Sequence, residues 1–304
     1  MVERTPFLNF FTHLILFVGF VFCVAPFAIV AIAASHNLRD VNDVPMSLLP
    51  GSDFWINIKT AWVTANLGPK LLNSFIVATG VAAGKVIVSA LTAFAIVYFR
   101  FPGRTLIFWL IFITLMLPLE VRIVPTYAVV ANVLEPYQAI LDVTGLSWLI
   151  ETVSGVQVQL SVGLLNSYPG LILPLVATAT GTFLYRQFFL TVPDELTEAA
   201  RMDGAGPLRF FIDILLPLSR NNMAALGTIM FLWAWNQYLW PLLITTDQSH
   251  AMAVTELKQL IPNVGGTPEW HIAMAGTLII MLPPMIVVVL MQRWFVRGLI
   301  ATEK

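Results

Sequence analysis

Residues 14–34 form an unbroken run of twenty-one uncharged, almost wholly apolar positions. At about 1.5 Å of rise per residue, a helix of that length crosses roughly 30 Å of hydrocarbon. In lipid its backbone N–H and C=O groups have no water to bond, so they must bond to each other, and a helix is the only solution for one such segment. The run exceeds the 7 to 15 residues typical of a secretory signal core, and a retained membrane helix is expected. A window of about 19 residues picks out six such segments, at residues 9–34, 71–98, 105–131, 168–185, 222–244 and 271–291. The expected fold is therefore an all-α integral membrane bundle of six transmembrane helices in a single domain over residues 1–304. Composition agrees: 58% of the chain is hydrophobic and 11% charged, against about 25% charged in soluble domains.

The same composition excludes several functions. A net charge of −1 without a basic run gives a nucleic-acid backbone nothing to meet. The one cysteine, Cys23, lies inside an apolar segment, and His13, His36, His250 and His271 are scattered without ligand spacing, so neither a disulfide nor a metal site is expected. No convergent nucleophile or carboxylate pair suggests catalysis, and no cofactor is expected. The stretch from Gly80 to Lys85 resembles a phosphate-binding P-loop only superficially. It is one residue short, carries Val86 where Ser or Thr is required, and lies within an apolar segment. Gly80 and Gly84 are better read as a small-xxx-small pair that lets another helix approach closely.

Basic residues orient the chain. With the N-terminus cytoplasmic, that side holds Arg4, Arg100, Arg104, Arg186, Arg201, Arg209, Arg220, Arg293, Arg297 and Lys304, ten of the sixteen Lys and Arg residues. The other side holds Arg39, Lys59, Lys70 and Lys258, while Lys85 and Arg122 lie within or near spans. The imbalance places both termini inside. It also places residues 187–220 in the cytoplasm and residues 246–270 outside.

The 187–220 loop carries Glu198-Ala199-Ala200, then Gly204, then Ile214-Leu215-Leu216-Pro217. Thr191 or Asp194 is expected to cap a short helix with Pro193 in its first turn, and Gly204 to end it. Leu196, Ala199 and Ala200 share one face, with Glu195, Glu198 and Asp203 around it. Phe210, Phe211 and Ile214 are expected to anchor the next turn to the bundle before Pro217. The result is a stiff elbow that passes on displacement.

This motif resembles the coupling loop of binding-protein-dependent ATP-driven importers, type I or MetI-like permeases, whose core would cover residues 71–295. The chain resembles the MalG-type permeases of carbohydrate importers, and among them the subtype that imports sn-glycerol 3-phosphate. Stretches carrying the subtype are Ala93-Phe94-Ala95-Ile96-Val97 with Phe99-Arg100-Phe101-Pro102, Phe112-Ile113-Thr114-Leu115-Met116-Leu117-Pro118, and Glu120-Val121-Arg122. Others are Arg186-Gln187-Phe188-Phe189, Trp235-Asn236-Gln237-Tyr238-Leu239-Trp240-Pro241, and Met291-Gln292-Arg293 with Phe295-Val296-Arg297-Gly298-Leu299. The resemblance implies an inner-membrane complex with a sister permease, an ATP-binding subunit dimer and a periplasmic solute-binding protein. Glu198, Ala199, Ala200, Asp203, Gly204 and Pro217 would then couple to the ATPase. The outer loop, with Glu256, Lys258, Gly265 and Gly266, would meet the binding protein. An unusually long stretch, residues 132–167, is read in part as an interfacial helix.

Two charges lie where charge is costly. A cation at mid-bilayer costs about 2.5 to 3.5 kcal/mol on insertion scales, and Lys85 has no acidic residue one helical turn away. Arg122 lies between Pro118 and Pro125, where a kinked backbone can line a cavity. Both suit a phosphate ester path, to which Trp235 and Asn236 are added from the aromatic cluster Trp233, Trp235, Tyr238 and Trp240. The blander alternatives are pairing of Arg122 with Glu120, pairing of Lys85 with the sister permease, and an interfacial belt of aromatics. A sugar or oligosaccharide importer of the maltose type is the alternative cargo class. An ATP-independent carrier or channel is the alternative mechanism, and it leaves the loop motif without a use.

Overall fold

The computed structural model describes residues 6–157, 159–261 and 267–300, and every regular element among them is helical. Packing divides the chain into two units, Met1–Leu71 with Thr255–Pro283, and Leu72–Val254 with Pro284–Lys304.

In the first unit, the helix Pro6–Ala33 presents apolar side chains outward along nearly its whole length, as expected of a surface solvated by lipid. The turn that follows it is held by a side chain: Asn57, buried in the helix Phe54–Thr64, donates to Ala34 O at 2.9 Å and His36 O at 2.7 Å. Buried carbonyls of a turn need such a partner. The amide of Gly51 donates to Ser35 Oγ at 2.8 Å, closing the intervening loop onto the same corner.

The second unit contains most of the long helix Leu67–Tyr98. The expected small-residue seam is occupied by a neighbour. A Cβ on Gly80 would lie 2.7 Å from Ile172 Cδ1, and one on Gly84 would lie 2.7 Å from Val176 Cγ2. The two glycines therefore let the helix Tyr168–Val176 pack directly on the backbone of the long helix. Residues 132–167 include two short exposed helices, Glu135–Val143 and Leu146–Ser154, joined through Gly145 at φ +73°.

The spans depart from six continuous helices. Among the described residues three helices are long and apolar enough to cross a membrane: Phe7–Ala33, Leu67–Tyr98 and Trp270–Trp294. Two bent pairs raise the number to five, Arg104–Met116 with Glu120–Ala131, and Tyr168–Val176 with Ala179–Phe189. In the first pair Leu117 is extended (φ −63°, ψ 129°) because the ring of Pro118 disfavours helical backbone before it. The segment 222–244, expected as the fifth span, is instead Arg220–Trp235 and Leu239–Ile244 with residues 236–238 outside both helices. Pro241 accounts for this break. In a continuous helix its ring would press on the carbonyl four residues back, whereas in the first turn of a new helix it is tolerated.

Candidate coupling elbow and intramembrane cation site

The elbow is built by local rules and then clamped by aromatic rings. Its first helix, Asp194–Met202, begins after Pro193 with no side-chain cap. Thr191, one of the two expected caps, instead gives its hydroxyl to Phe188 O at 2.7 Å. Asp194, the other, is the first helical residue, where its negative charge still suits the helix N-terminus. The C-terminus follows expectation. Gly204 takes φ +73°, its amide bonds Arg201 O at 3.0 Å, and the Ala205 amide bonds Ala200 O at 2.8 Å. That pair of bonds is the Schellman arrangement, and it requires the left-handed residue that glycine provides.

Only part of the expected apolar face turns inward. Ala200 is buried, while Ala199, Leu196, Glu198 and Asp203 are exposed. The outward surface thus joins Glu195, Glu198 and Ala199 to the apolar Leu196, Met202 and Leu208, all exposed. After Gly206 the chain forms Pro207–Phe210, a π-helical turn Phe211–Leu215, and Leu216–Leu218, with Pro217 exposed at its start. The wider π turn makes Leu215, at 0% exposure, the buried anchor alongside Phe210 and Phe211, and Ile214 is only half-buried.

These anchors meet the end of the long helix. Phe94 and Phe211 lie 4.8 Å apart, Tyr98 and Phe210 5.3 Å, and Tyr98 and Phe189 6.1 Å between ring centroids. The separations suit offset and edge contacts of aromatic rings. A cavity of about 200 Å³ remains between them and the elbow, lined in part by Phe94, Tyr98, Thr197, Ala200 and Arg201. A larger polar groove of about 510 Å³ brings Glu198 and Asp194 beside Arg100, Arg104 and Arg201.

Deeper in this unit, Lys85 is 5% exposed, and its ammonium sits 3.7 Å from the centroid of the Trp233 ring. Among the described residues it has no carboxylate partner. Arg122 is near enough for the two positive charges to repel, and its buried Nε has no hydrogen-bond partner. Nor does Arg122 form an ion pair with Glu120. Ser89, one turn beyond Lys85, also holds a buried hydroxyl without a partner. Two cations and a hydroxyl without bonded partners are what an anion would satisfy.

The two aromatic-segment expectations change. Trp235 is 1% exposed, stacks toward Phe231 at 5.7 Å, and keeps a buried indole Nε1 without a hydrogen-bond partner. Asn236 is exposed and gives its amide to Leu232 O at 2.8 Å, closing the end of its helix. The residue that meets Lys85 is Trp233, two positions earlier. Residues two apart lie about 200° apart around a helix, and the aromatic pattern by itself did not say which one faced the long helix.

The described part of the 246–270 loop is also pinned more tightly than its sequence suggests. Glu256 is 4% exposed and pairs with Lys70 at 2.5 Å within the first unit. It therefore presents no open surface, because its carboxylate is used to neutralise a buried lysine. Lys258 is exposed, while Gly265 and Gly266 lie outside the described residues. Within the second unit, Asn73 donates to Ser249 O and Ala251 O at 2.8 and 3.0 Å and accepts from Tyr168 at 2.7 Å. Ser74 Oγ accepts the Ala253 amide at 2.9 Å. Beside them, a hydrogen bond from Ser249 holds the Asp247 carboxyl below its ordinary range.

Among the described residues the chain is thus all-helical, with membrane-length helices and a structured elbow. The chain belongs to the family of binding-protein-dependent transport system inner membrane components, whose model matches residues 85–301. It is 47% identical, over the full length of both chains, to the sn-glycerol-3-phosphate transport system permease protein UgpE of Pectobacterium atrosepticum. The protein of the same description from Salmonella typhi is 48% identical, again over both full lengths. In fold it matches the crystal structure of a bacterial ABC transporter involved in the import of the acidic polysaccharide alginate, with a TM-score of 0.71 at 17% identity, covering 97% of this chain and 99% of that one. Membership makes the chain a transport component of the inner membrane, not a catalytic subunit.

Proposed function

We propose that this chain is a permease subunit of an ATP-driven, binding-protein-dependent importer that carries sn-glycerol 3-phosphate across the inner membrane. The observation that carries the reading is identity of 47% along the whole chain to a permease described as transporting that compound. The unpaired cations Lys85 and Arg122 support it independently, since a phosphate monoester brings nearly two negative charges and arginine binds phosphate through two parallel bonds.

The chain spans the membrane six times with both termini in the cytoplasm, the broken segment around residues 236–238 counting as one crossing. It pairs with a sister permease. An ATPase dimer grips the outward surface of the helix Asp194–Met202, with Glu198 in direct contact, Ala199 and Ala200 giving close approach, and Asp203 and Gly204 setting the bend that leads to Pro217. Closure on ATP moves that helix. Because the turns that follow it pack on Phe94 and Tyr98 through Phe210 and Phe211, the displacement is passed through them to the long helix. Lys258, with Gly265 and Gly266, meets the periplasmic binding protein, while the Lys70–Glu256 pair holds the loop that presents them.

The test is ATP hydrolysis and uptake by the reconstituted complex with its binding protein. sn-Glycerol 3-phosphate is expected to stimulate both, and maltose-type sugars neither. Arg122→Ala is expected to lower uptake more than it lowers the amount of assembled complex. Stimulation by a sugar alone would overturn the cargo, and uptake by this chain without any ATPase would overturn the class.

A further inference from the structure

A second basic groove adjoins the one against the elbow and shares Val97, Arg104 and Leu190 with it. It encloses about 360 Å³, and its wall includes Arg104, Thr105, Trp109, Phe183, Arg186 and Gln187, with no carboxylate in its lining. Of its two arginines, Arg104 also lines the groove that holds Asp194 and Glu198, whereas Arg186 does not. Arg186 is held in place: its guanidinium carbon lies 4.8 Å from the centroid of the Phe108 ring, and Phe108 is itself buried. Among the described residues neither Arg104 nor Arg186 has an ion-pair partner. An arginine stacked on a ring and free of carboxylates presents its fork of N–H donors to an anion with little reorganisation.

The surroundings identify the kind of anion. Leu190 and Trp109, both in the lining of this groove, are exposed, and Ile96, Val97 and Phe183 complete an apolar wall. Immediately after Arg104 the helix Arg104–Met116 becomes continuously uncharged, so the arginines stand where an apolar span begins. Basic side chains, an amphipathic indole and an apolar flank at one depth match a lipid headgroup above its acyl chains. Inorganic phosphate would use the arginines but gain nothing from the apolar wall.

We infer that this groove binds the phosphodiester headgroup of an anionic phospholipid, with Arg104 and Arg186 on the phosphate and the exposed Leu190 and Trp109 against the acyl chains. The inference rests on the importer reading only in assigning the groove to the cytoplasmic leaflet. The experiment is native mass spectrometry of the complete importer complex, equilibrated in detergent with equal parts phosphatidylglycerol and phosphatidylcholine. Preferential retention of phosphatidylglycerol is expected. Each arginine near a lipid surface contributes about a fivefold factor, so Arg186→Gln should weaken retention about fivefold and Arg104→Gln with Arg186→Gln roughly 25-fold. Arg39→Gln, an exposed arginine elsewhere, should leave it unchanged. Should the double variant fail to assemble, lysine at both positions keeps the charge and is expected to retain more lipid than Arg186→Gln. Equal retention of both lipids, no loss in the glutamine variants, or full displacement of lipid by millimolar inorganic phosphate would overturn the inference. None of these readouts measures uptake, so their failure leaves the importer reading standing and is distinguishable from its failure.

Discussion

Lys70 and Lys85 belong to the same helix and are almost equally buried, at 4% and 5% exposure, yet their charges are compensated in different ways. Lys70 meets the Glu256 carboxylate at 2.5 Å, a bond across 186 positions of sequence. Among the described residues Lys85 meets the face of Trp233 and no carboxylate. A buried cation neutralised by a carboxylate has no remaining attraction to offer, and its value is structural. A buried cation resting on an aromatic ring keeps most of its charge uncompensated, because a ring quadrupole returns only about 0.5 to 2 kcal/mol. Two similarly buried lysines thus differ in what they leave available: Lys70 is tied to Glu256, whereas Lys85 keeps the charge that the proposed function assigns to an anion.

The sharpest way to break this contrast is Glu256→Ala, which strands Lys70 in a buried site. Removing one partner of a buried pair costs about 3 to 5 kcal/mol, and a corresponding fall in the thermal stability of the purified complex is expected. Lys70→Met combined with Glu256→Leu should recover most of it. A loss no greater than that of an exposed pair would show Lys70 to be as reactive a charge as Lys85.

Lys85→Met should behave oppositely. Stability is expected to hold or rise, because a costly buried charge has been removed. Uptake of sn-glycerol 3-phosphate per assembled complex should fall about tenfold or more, since a hydrogen bond to a charged group is worth about 1.5 to 3 kcal/mol. Normal uptake in a stable variant would return Lys85 to the structural class.

Trp233→Leu sharpens the comparison further. It removes the ring but keeps an apolar side chain, and a loss of about 1 kcal/mol in stability is expected, with Trp233→Phe losing less. Equal losses for Leu and Phe would mean that the indole only fills space. The smallest effect is expected at the elbow, where conformation replaces charge as the constraint. Nothing lies within 4 Å of a Cβ placed on Gly204, so Gly204→Ala adds no clash and costs only the left-handed backbone, about 1 kcal/mol. The variant complex should still assemble, while the solute moved per ATP hydrolysed should drop.

The elbow was legible in the sequence to the extent that its structure is local. Gly204 ends its helix through hydrogen bonds that reach back only to Ala200 and Arg201, and Phe210 and Phe211 anchor it as their spacing implies. Where packing intervened, expectation slipped: Leu215 replaced Ile214 because a π turn widens the spacing of buried positions. The two glycines of the long helix likewise announced a close neighbour without naming Ile172 and Val176 as its side chains. The cation site was legible as two costly charges, but not in its partner. Trp233 and Trp235 are indistinguishable by type, and only packing turned one to Lys85 and the other into the interior.

Residence in the membrane and helical structure were determined by the sequence alone, because lipid offers backbone groups no alternative partners and long uncharged runs leave no other fold. The turn at Gly204 and the interruptions before Pro118 and Pro241 were likewise inscribed in single residues with restricted backbones. What only tertiary structure decided was which charges are spent and which are kept. That outcome depends on side chains brought together from distant parts of the chain, and electrostatic compensation is set by separation in space, not by order along the sequence.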